Sequence, residues 1–143
     1  MSLPDGLRQV LHCDSNPTEL KNRAHAHSIT REVPPSLSVL VAFEADTHIW
    51  AISGSDKIVR RMVADPKYVP EQMAAVRVHI PRGHAIIFSQ DLVHSDDGYD
   101  ADNLRFHMYF DHINSERKHD TTGYLTELFS ERKAKMFVLP EAV

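Results

Sequence analysis

The segment "LRFHMYFDH" (residues 104–112) decides the fold class, because apolar and polar side chains alternate strictly along it. Such alternation has the period of a β-strand with two different faces. Other segments with the composition of strands precede it, with turn residues or irregular stretches between most of them: 7–14, 36–45, 47–53, 76–81, 84–90 and 92–95. Since strands do not alternate regularly with helices, the sequence predicts an antiparallel, mostly-β sandwich or barrel.

Helices are expected mainly at the C-terminal end. Residues 120–137 carry Tyr124, Leu125, Leu128 and Phe129 at helical spacing, which predicts a helix at 121–136 packed on the outside of a sheet. We expect 104–112 to be a central strand whose apolar stripe lies in the core beneath that helix; the stripe consists of Leu104, Phe106, Met108 and Phe110. Two further segments are expected to be mainly loop: residues 16–35 with at most one helical turn, and residues 54–75 with at most a short helix.

Composition narrows the class of protein. A chain of 143 residues suits one domain, and a net charge of −4 gives no reason to expect nucleic acid or an acidic membrane as a partner. No apolar run is long enough to span a bilayer, and no signal segment opens the sequence. The single cysteine, Cys13, excludes an internal disulfide and a cysteine-based zinc site, so we expect a reducing, cytoplasmic location.

A histidine and a carboxylate stand two residues apart in "LHCDS" (11–15). On a strand, residues i and i+2 point to the same face, so His12 and Asp14 can reach one point while Cys13 faces the other side. A third ligand must come from another strand, and His94 in "IIFSQDLVHS" (86–95) is the candidate. Two histidines and one carboxylate on one face of a metal suit a non-haem Fe(II) centre with open positions.

Arg105 follows His94 across the turn cluster "DDGYDADN" (96–103) and shares a strand face with His107 and Tyr109. A guanidinium group can bind a carboxylate through two parallel hydrogen bonds. Arg105 is therefore a candidate for binding a carboxylate ligand near the metal. An ordinary ion pair with the acidic turn at 96–102 remains the alternative.

In this order and spacing, His12-x-Asp14, His94 and Arg105 resemble the motif of the Fe(II)/2-oxoglutarate-dependent oxygenases, in particular the phytanoyl-CoA dioxygenase-like branch. The segment "AISGSDK" (51–57) is similar to a "PGSHK"-like segment of that family, and "GHAIIF" (83–88) is similar to its "GDxxxF" segment. Two positions depart from the family pattern: Asp56 stands where histidine is usual, and His84 where aspartate is usual.

The resemblance implies a double-stranded β-helix, of the jelly-roll or cupin-like type, in which residues 1–143 form a single minimal or truncated oxygenase domain. It implies that His12, Asp14 and His94 bind Fe(II), and that Arg105 binds the far carboxylate of the co-substrate 2-oxoglutarate. The implied activity is a dioxygenase reaction, most simply hydroxylation of a prime substrate that the sequence does not identify. Homo-oligomerisation is an option for so short a domain.

Two other hypotheses stay open. One is a catalytically inactive β-helix module that binds a ligand or a partner protein. The other is a cupin-type metalloenzyme that uses His25 and His27, with Glu32 following them, because His-x-His before a glutamate is similar to a cupin motif. Metal at His12, Asp14 and His94, with Arg105 facing its open side, favours the oxygenase. Metal at His25 and His27 favours the cupin. An empty pocket, with Arg105 paired to protein carboxylates, favours the module.

Overall fold

The computed structural model describes residues 8–28, 36–99, 102–111 and 123–140. The chain is mostly β within these ranges. Its strands are β1 (His12–Cys13), β2 (Leu37–Ala42), β3 (Thr47–Ala51), β4 (Met73–Ala74), β5 (Val76–Ile80), β6 (Ala85–Ser89), β7 (His94–Asp96), β8 (Arg105–Phe110), β9 (Gly123–Tyr124) and β10 (Phe137–Val138). Its helices are α1 (Pro17–Ser28), α2 (Ser55–Ala64), α3 (Leu125–Leu128) and α4 (Glu131–Ala134). None of the described helices is long and apolar enough to cross a membrane.

Two antiparallel sheets organise the described residues. The larger has the strand order β5-β3-β7-β1-β9, and the smaller has the order β6-β2-β8. A short parallel pair, β10 with β4, stands apart from them. The two sheets contribute to a common buried cluster, as in a β-sandwich, that consists of Leu40, Ala42, Ile49, Ala51, Ile80 and Phe88. The mostly-β, antiparallel prediction is therefore confirmed.

A second buried cluster lies on the other side of the larger sheet. Cys13 of β1 packs there with Leu20 of α1 and with Val59 and Met62 of α2. Cys13 is fully buried, as expected for a strand residue that faces away from His12 and Asp14. The helices α1 and α2 contact each other and contribute to this cluster.

The prediction of a long C-terminal helix at 121–136 is wrong for the part of it that the structure describes. Residues 123–140 form β9, α3, α4 and β10 instead, and extended backbone at Phe129 separates the two short helices. Strand pairing at both ends overrides the helical spacing, because Tyr124 pairs with His12 and Phe137 pairs with Met73. Hydrogen bonds to other strands depend on distant parts of the chain, which the local apolar period does not show.

The strand at 104–112 is also placed differently from the prediction. Among the described strands, β8 lies at an edge of the smaller sheet. Its apolar stripe points outward, with Phe106 54% and Phe110 55% exposed. The opposite face, with Arg105 and His107, turns toward the larger sheet. Polar partners there decide the orientation, since Arg105 contacts Asp96 and the His107 ring lies beside Asp14.

The segment at 16–35 is more helical than predicted. Asn16 accepts a hydrogen bond from the Glu19 backbone N–H through Oδ1 (2.9 Å), while Glu19 Oε2 accepts one from the Asn16 N–H (3.1 Å). This reciprocal capping box, with Pro17 at the first helical position, begins a helix that extends to Ser28. The predicted loop at 54–75 likewise contains the ten-residue helix α2.

Candidate metal centre

The pairing of β1 with β7 brings the two histidines together. His12 lies directly opposite His94 in the antiparallel register, so both side chains point to the same face of the sheet. Their ring centroids are 4.5 Å apart. Asp14, two residues beyond His12, shares this face, and its backbone N–H is held by the Gln90 carbonyl at 2.9 Å.

The structure therefore brings His12, Asp14 and His94 to one buried point. One nitrogen or oxygen atom from each residue lies within 4.8 Å of the others, and His94 Nε2 is 3.5 Å from Asp14 Oδ1. Three bonds of about 2.1 Å at right angles place ligand atoms about 3 Å apart, so the group is close to the spacing that a first-row ion requires. Among the described residues, no other group of histidine, cysteine and carboxylate side chains converges in this way.

Backbone carbonyls determine the tautomer of both histidines. His12 Nδ1 is 2.9 Å from the Val10 carbonyl oxygen, and His94 Nδ1 is 3.0 Å from the Leu92 carbonyl oxygen. A carbonyl only accepts hydrogen bonds, so Nδ1 must be the protonated nitrogen and Nε2 must carry the lone pair in each neutral ring. This is the arrangement of metal-binding histidines, in which a hydrogen bond on one nitrogen orients the other toward the ion.

The smaller sheet holds the carboxylate. Ser38 of β2 donates its hydroxyl to Asp14 Oδ2 at 2.5 Å, which directs Oδ1 toward His94. His107 of β8 places Nε2 at 3.6 Å from the same Oδ2. That nitrogen is buried and has no hydrogen-bond partner among the described residues. The centre thus lies between the two sheets, with its three candidate ligands on the larger sheet and its supporting groups on the smaller one.

Burial favours the neutral form of two imidazoles, those of His12 and His107. Desolvation, followed by the neighbouring His94, lowers the pKa of His12 below its ordinary value. Desolvation also lowers the pKa of His107, against the opposing effect of the Asp14 carboxylate. A neutral imidazole is the form that binds a metal ion, so His12 has its ligand form at neutral pH.

Arg105 faces the space between the sheets, but it has a partner in the protein. Its Nη2 donates to Asp96 Oδ2 at 2.5 Å, and its Nη1 donates to the Tyr99 hydroxyl at 3.3 Å. Asp96 lies on β7, two residues beyond His94, so the ion pair stands beside the candidate ligands. The alternative of an ion pair with the acidic turn is therefore what the structure contains.

The cupin hypothesis is not decided by these contacts. His25 and His27 fall in the helix α1 rather than in an irregular stretch, and only their backbone is described. Glu32 lies outside the described residues, as does His112.

Three supporting residues were not predicted from the sequence. Ser38 comes from β2 of the smaller sheet and has no motif around it. The sequence indicates Asp96 only as a member of the acidic turn at 96–102. His107 did carry a signal, because strict alternation in β8 places it on the same face as Arg105. Its position two residues beyond the candidate carboxylate binder could have identified it.

No protein-family model matches this sequence, and comparison with curated proteins gave no significant match. The candidate function therefore depends on the site itself.

Proposed function

We propose that this protein is an Fe(II)- and 2-oxoglutarate-dependent dioxygenase that hydroxylates an unidentified prime substrate, and that its sandwich is a minimal double-stranded β-helix. The observation that carries the proposal is the buried His12, Asp14 and His94 group, with both histidines fixed through Nδ1 and the carboxylate fixed through Ser38. Such pre-oriented ligands fit an ion of the Fe(II) type. A single, buried cysteine agrees with the cytoplasmic location that we propose with this activity.

The donor set fits a metal with open coordination positions. Two imidazole nitrogens and one carboxylate oxygen provide three ligands, which leaves room for a bidentate co-substrate and dioxygen on an octahedral ion. When bound, Fe(II) would supply the activation of dioxygen, which protein side chains cannot perform. The chain's own contribution is to orient the ligands and to exclude water, since the three ligand residues are each buried and the Phe88 ring lies 4.9 Å from the His94 ring.

Arg105 is the group that we propose to bind the far carboxylate of 2-oxoglutarate. Its side chain is 10% exposed and faces the candidate centre, so a carboxylate arriving there would be removed from water and would need a cation. In the structure this guanidinium group donates a hydrogen bond to the Asp96 carboxylate. Binding of 2-oxoglutarate in this way requires Arg105 to exchange Asp96 for the co-substrate, or to contact both through different N–H groups.

A metal-only site that does not use 2-oxoglutarate is the second candidate, and the ion pair between Arg105 and Asp96 favours it. In that case Asp96 neutralises Arg105 permanently and the pair belongs to the scaffold. The two candidates share the metal site and differ in whether a dicarboxylate binds beside it.

Anaerobic titration distinguishes them. Apoprotein is loaded with Fe(II) and titrated with 2-oxoglutarate while the visible metal-to-ligand charge-transfer band is monitored. The oxygenase hypothesis expects a band that saturates, and the metal-only hypothesis expects none at any concentration. Absence of Fe(II) binding itself would reject both candidates.

Variants of Arg105 test the role of the guanidinium group. We expect Arg105→Lys to weaken 2-oxoglutarate binding about 10-fold or more, because a lysine keeps the charge but loses the two-pronged donor. Arg105→Ala should weaken it further, while Fe(II) affinity changes little in both. Arg77→Ala is the matched control, since Arg77 makes its ion pair with Asp97 rather than with Asp96. Unchanged 2-oxoglutarate affinity in Arg105→Ala would remove Arg105 from the proposed site.

A further inference from the structure

A continuous apolar surface covers the side of the smaller sheet that faces away from the candidate metal centre. The strand registers place Val39 beside Ile87 and Met108, with equivalent rows on both sides of it. Beyond the last row, the Phe43 N–H donates to the Leu104 carbonyl at 3.2 Å, which extends the surface by two more residues. We call this surface the outer face; it consists of Leu37, Val39, Val41, Phe43, Ala85, Ile87, Ser89, Leu104, Phe106, Met108 and Phe110.

The outer face is open and uncharged. Ile87 is 65% exposed at its centre, and Phe106 and Phe110 are each more than half exposed. Ser89 is the polar member of the face, and no member carries a charge. Isolated exposed apolar residues are common on proteins, but a contiguous group across three adjacent strands is the kind of surface that another surface covers.

The size of the face matches what a small dimer requires. A phenylalanine offers about 150–250 Å² for burial, so each half-exposed ring presents roughly 100 Å². Together the members of the face present on the order of 600 Å² per copy, or about 1,200 Å² for two copies, which is the lower end of specific interfaces. Two such sheets pack about 10 Å apart with their strands about 30° from parallel, an arrangement that two identical twisted sheets can adopt.

The chemistry of the face favours a second copy over the other occupants. The segments of this chain outside the described residues that adjoin the sheet are "ITREVPP" (29–35) and "HINSERKHDTT" (112–122), which are mostly polar or proline. They have too few apolar side chains to match the face. A copy of the same face is uncharged and equal in area, so a two-fold arrangement buries it without leaving any charge unpaired.

We propose that the outer face is the interface of a symmetric homodimer, formed by the smaller sheets of two copies packing face to face. The candidate metal centre lies on the inner side of the same sheet in each copy, so both centres remain outside the interface. The proposal depends on no property of the metal site.

Sedimentation equilibrium on the full chain tests the interface. We expect the wild type to dimerise with a dissociation constant on the order of 10 µM, as suits a small interface. Ile87→Glu should raise that constant at least 100-fold, because it places an unpaired charge at the centre of the face. Val76→Glu is the matched control on β5 of the other sheet, where the native valine is 58% exposed, and it should leave the dimer intact.

Three results would overturn the proposal. A wild type that stays monomeric at about 100 µM, well above the expected constant, rejects the dimer. A dimer that tolerates Ile87→Glu but not Val76→Glu places the interface elsewhere. A monomer that binds neutral phosphatidylcholine vesicles through Ile87 assigns the face to lipid instead.

Labelling kinetics provide an independent measurement if Ile87→Glu fails to fold. The native thiol of Cys13 is fully buried, so Ile87→Cys adds one accessible thiol to the folded chain. We expect that thiol to react with a maleimide several-fold more slowly above the dissociation constant than below it. Val76→Cys should react at one rate throughout, and a concentration-independent rate for Ile87→Cys contradicts the dimer.

Discussion

A hydroxyl of the opposite sheet orients the Asp14 carboxylate. Ser38 donates to Asp14 Oδ2 at 2.5 Å, and both groups are buried. We expect Ser38→Ala to weaken binding of Fe(II) or Co(II) about 10–100-fold, the usual effect of losing a group that orients a ligand. Calorimetric titration of the apoprotein measures this loss. Ser53→Ala changes an exposed serine and should have no effect; equal affinities in wild type and Ser38→Ala would contradict the orienting role.

The buried imidazole of His12 makes stability depend on pH. Burial, and then His94, lower its pKa in the folded state below the unfolded value of about 6.5. The unfolded chain therefore binds a proton at this position more readily, so stability falls as pH drops below about 6.5 and does not change with this group above it. Urea unfolding of the apoprotein between pH 7.5 and 5.5 should show this decrease.

Two glutamine variants isolate the contribution of His12. His12→Gln should reduce the dependence of the unfolding free energy on pH in that window, because one titrating group is gone while the buried His107, whose pKa is also lowered, remains. His84→Gln, at an exposed position, should keep the wild-type slope. Identical slopes in all three proteins would mean that the His12 imidazole has the same pKa in the folded and unfolded chains.

Among the elements, α1 depends on its first turn. The capping box between Asn16 and Glu19 satisfies two backbone N–H groups that the helix itself leaves unpaired. We expect Asn16→Ala to lower the free energy of unfolding by about 1 kcal/mol. Chemical denaturation measures the change, and Lys21→Ala, at an exposed site of the same helix, serves as the control. A loss no larger than that of Lys21→Ala would show that the cap contributes little.

The pairing of β9 with β1 holds the strand that carries His12. Gly123 lies so close to this strand that a Cβ atom there would be 2.2 Å from the Ser15 carbonyl oxygen. Backbone cannot move aside cheaply, so we expect Gly123→Ala to cost roughly 1–3 kcal/mol and also to weaken metal binding by displacing β1. Gly83→Ala meets open space but has a φ of +78°, and it should cost about 1 kcal/mol without affecting the metal. Metal affinity unchanged by Gly123→Ala would separate β9 from the centre.

For the whole molecule, the three candidate ligands converge between two packed sheets, which form only when the chain folds. An ion that binds only the folded chain stabilises it by mass action, by about 2.7 kcal/mol at one hundred times Kd. Thermal unfolding with Co(II) should therefore show a higher Tm than the apoprotein. His94→Gln removes one ligand and should lose most of the shift. A shift of equal size in that variant would place the bound metal elsewhere.

The sequence alone determined most of the strand segments and the identity of the candidate ligands. Strict alternation predicted β8, and the spacing of His12 and Asp14 predicted that they share a strand face opposite to Cys13. Both predictions depend on the period of two along a strand, which can be recognised in a local segment without knowledge of the rest of the chain. The choice of His94 as the third residue also came from the sequence.

Tertiary structure decided which way each face points and what each polar group meets. Alternation shows that Arg105 and Phe106 lie on opposite faces of β8, but only the position of Asp14 and Asp96 turns the polar face inward and leaves Phe106 exposed. The predicted C-terminal helix does not form for the same reason, because β9 and β10 pair with strands that are far away in sequence. Burial, ion pairs and strand pairing are relations between distant residues, and a local pattern carries no information about them.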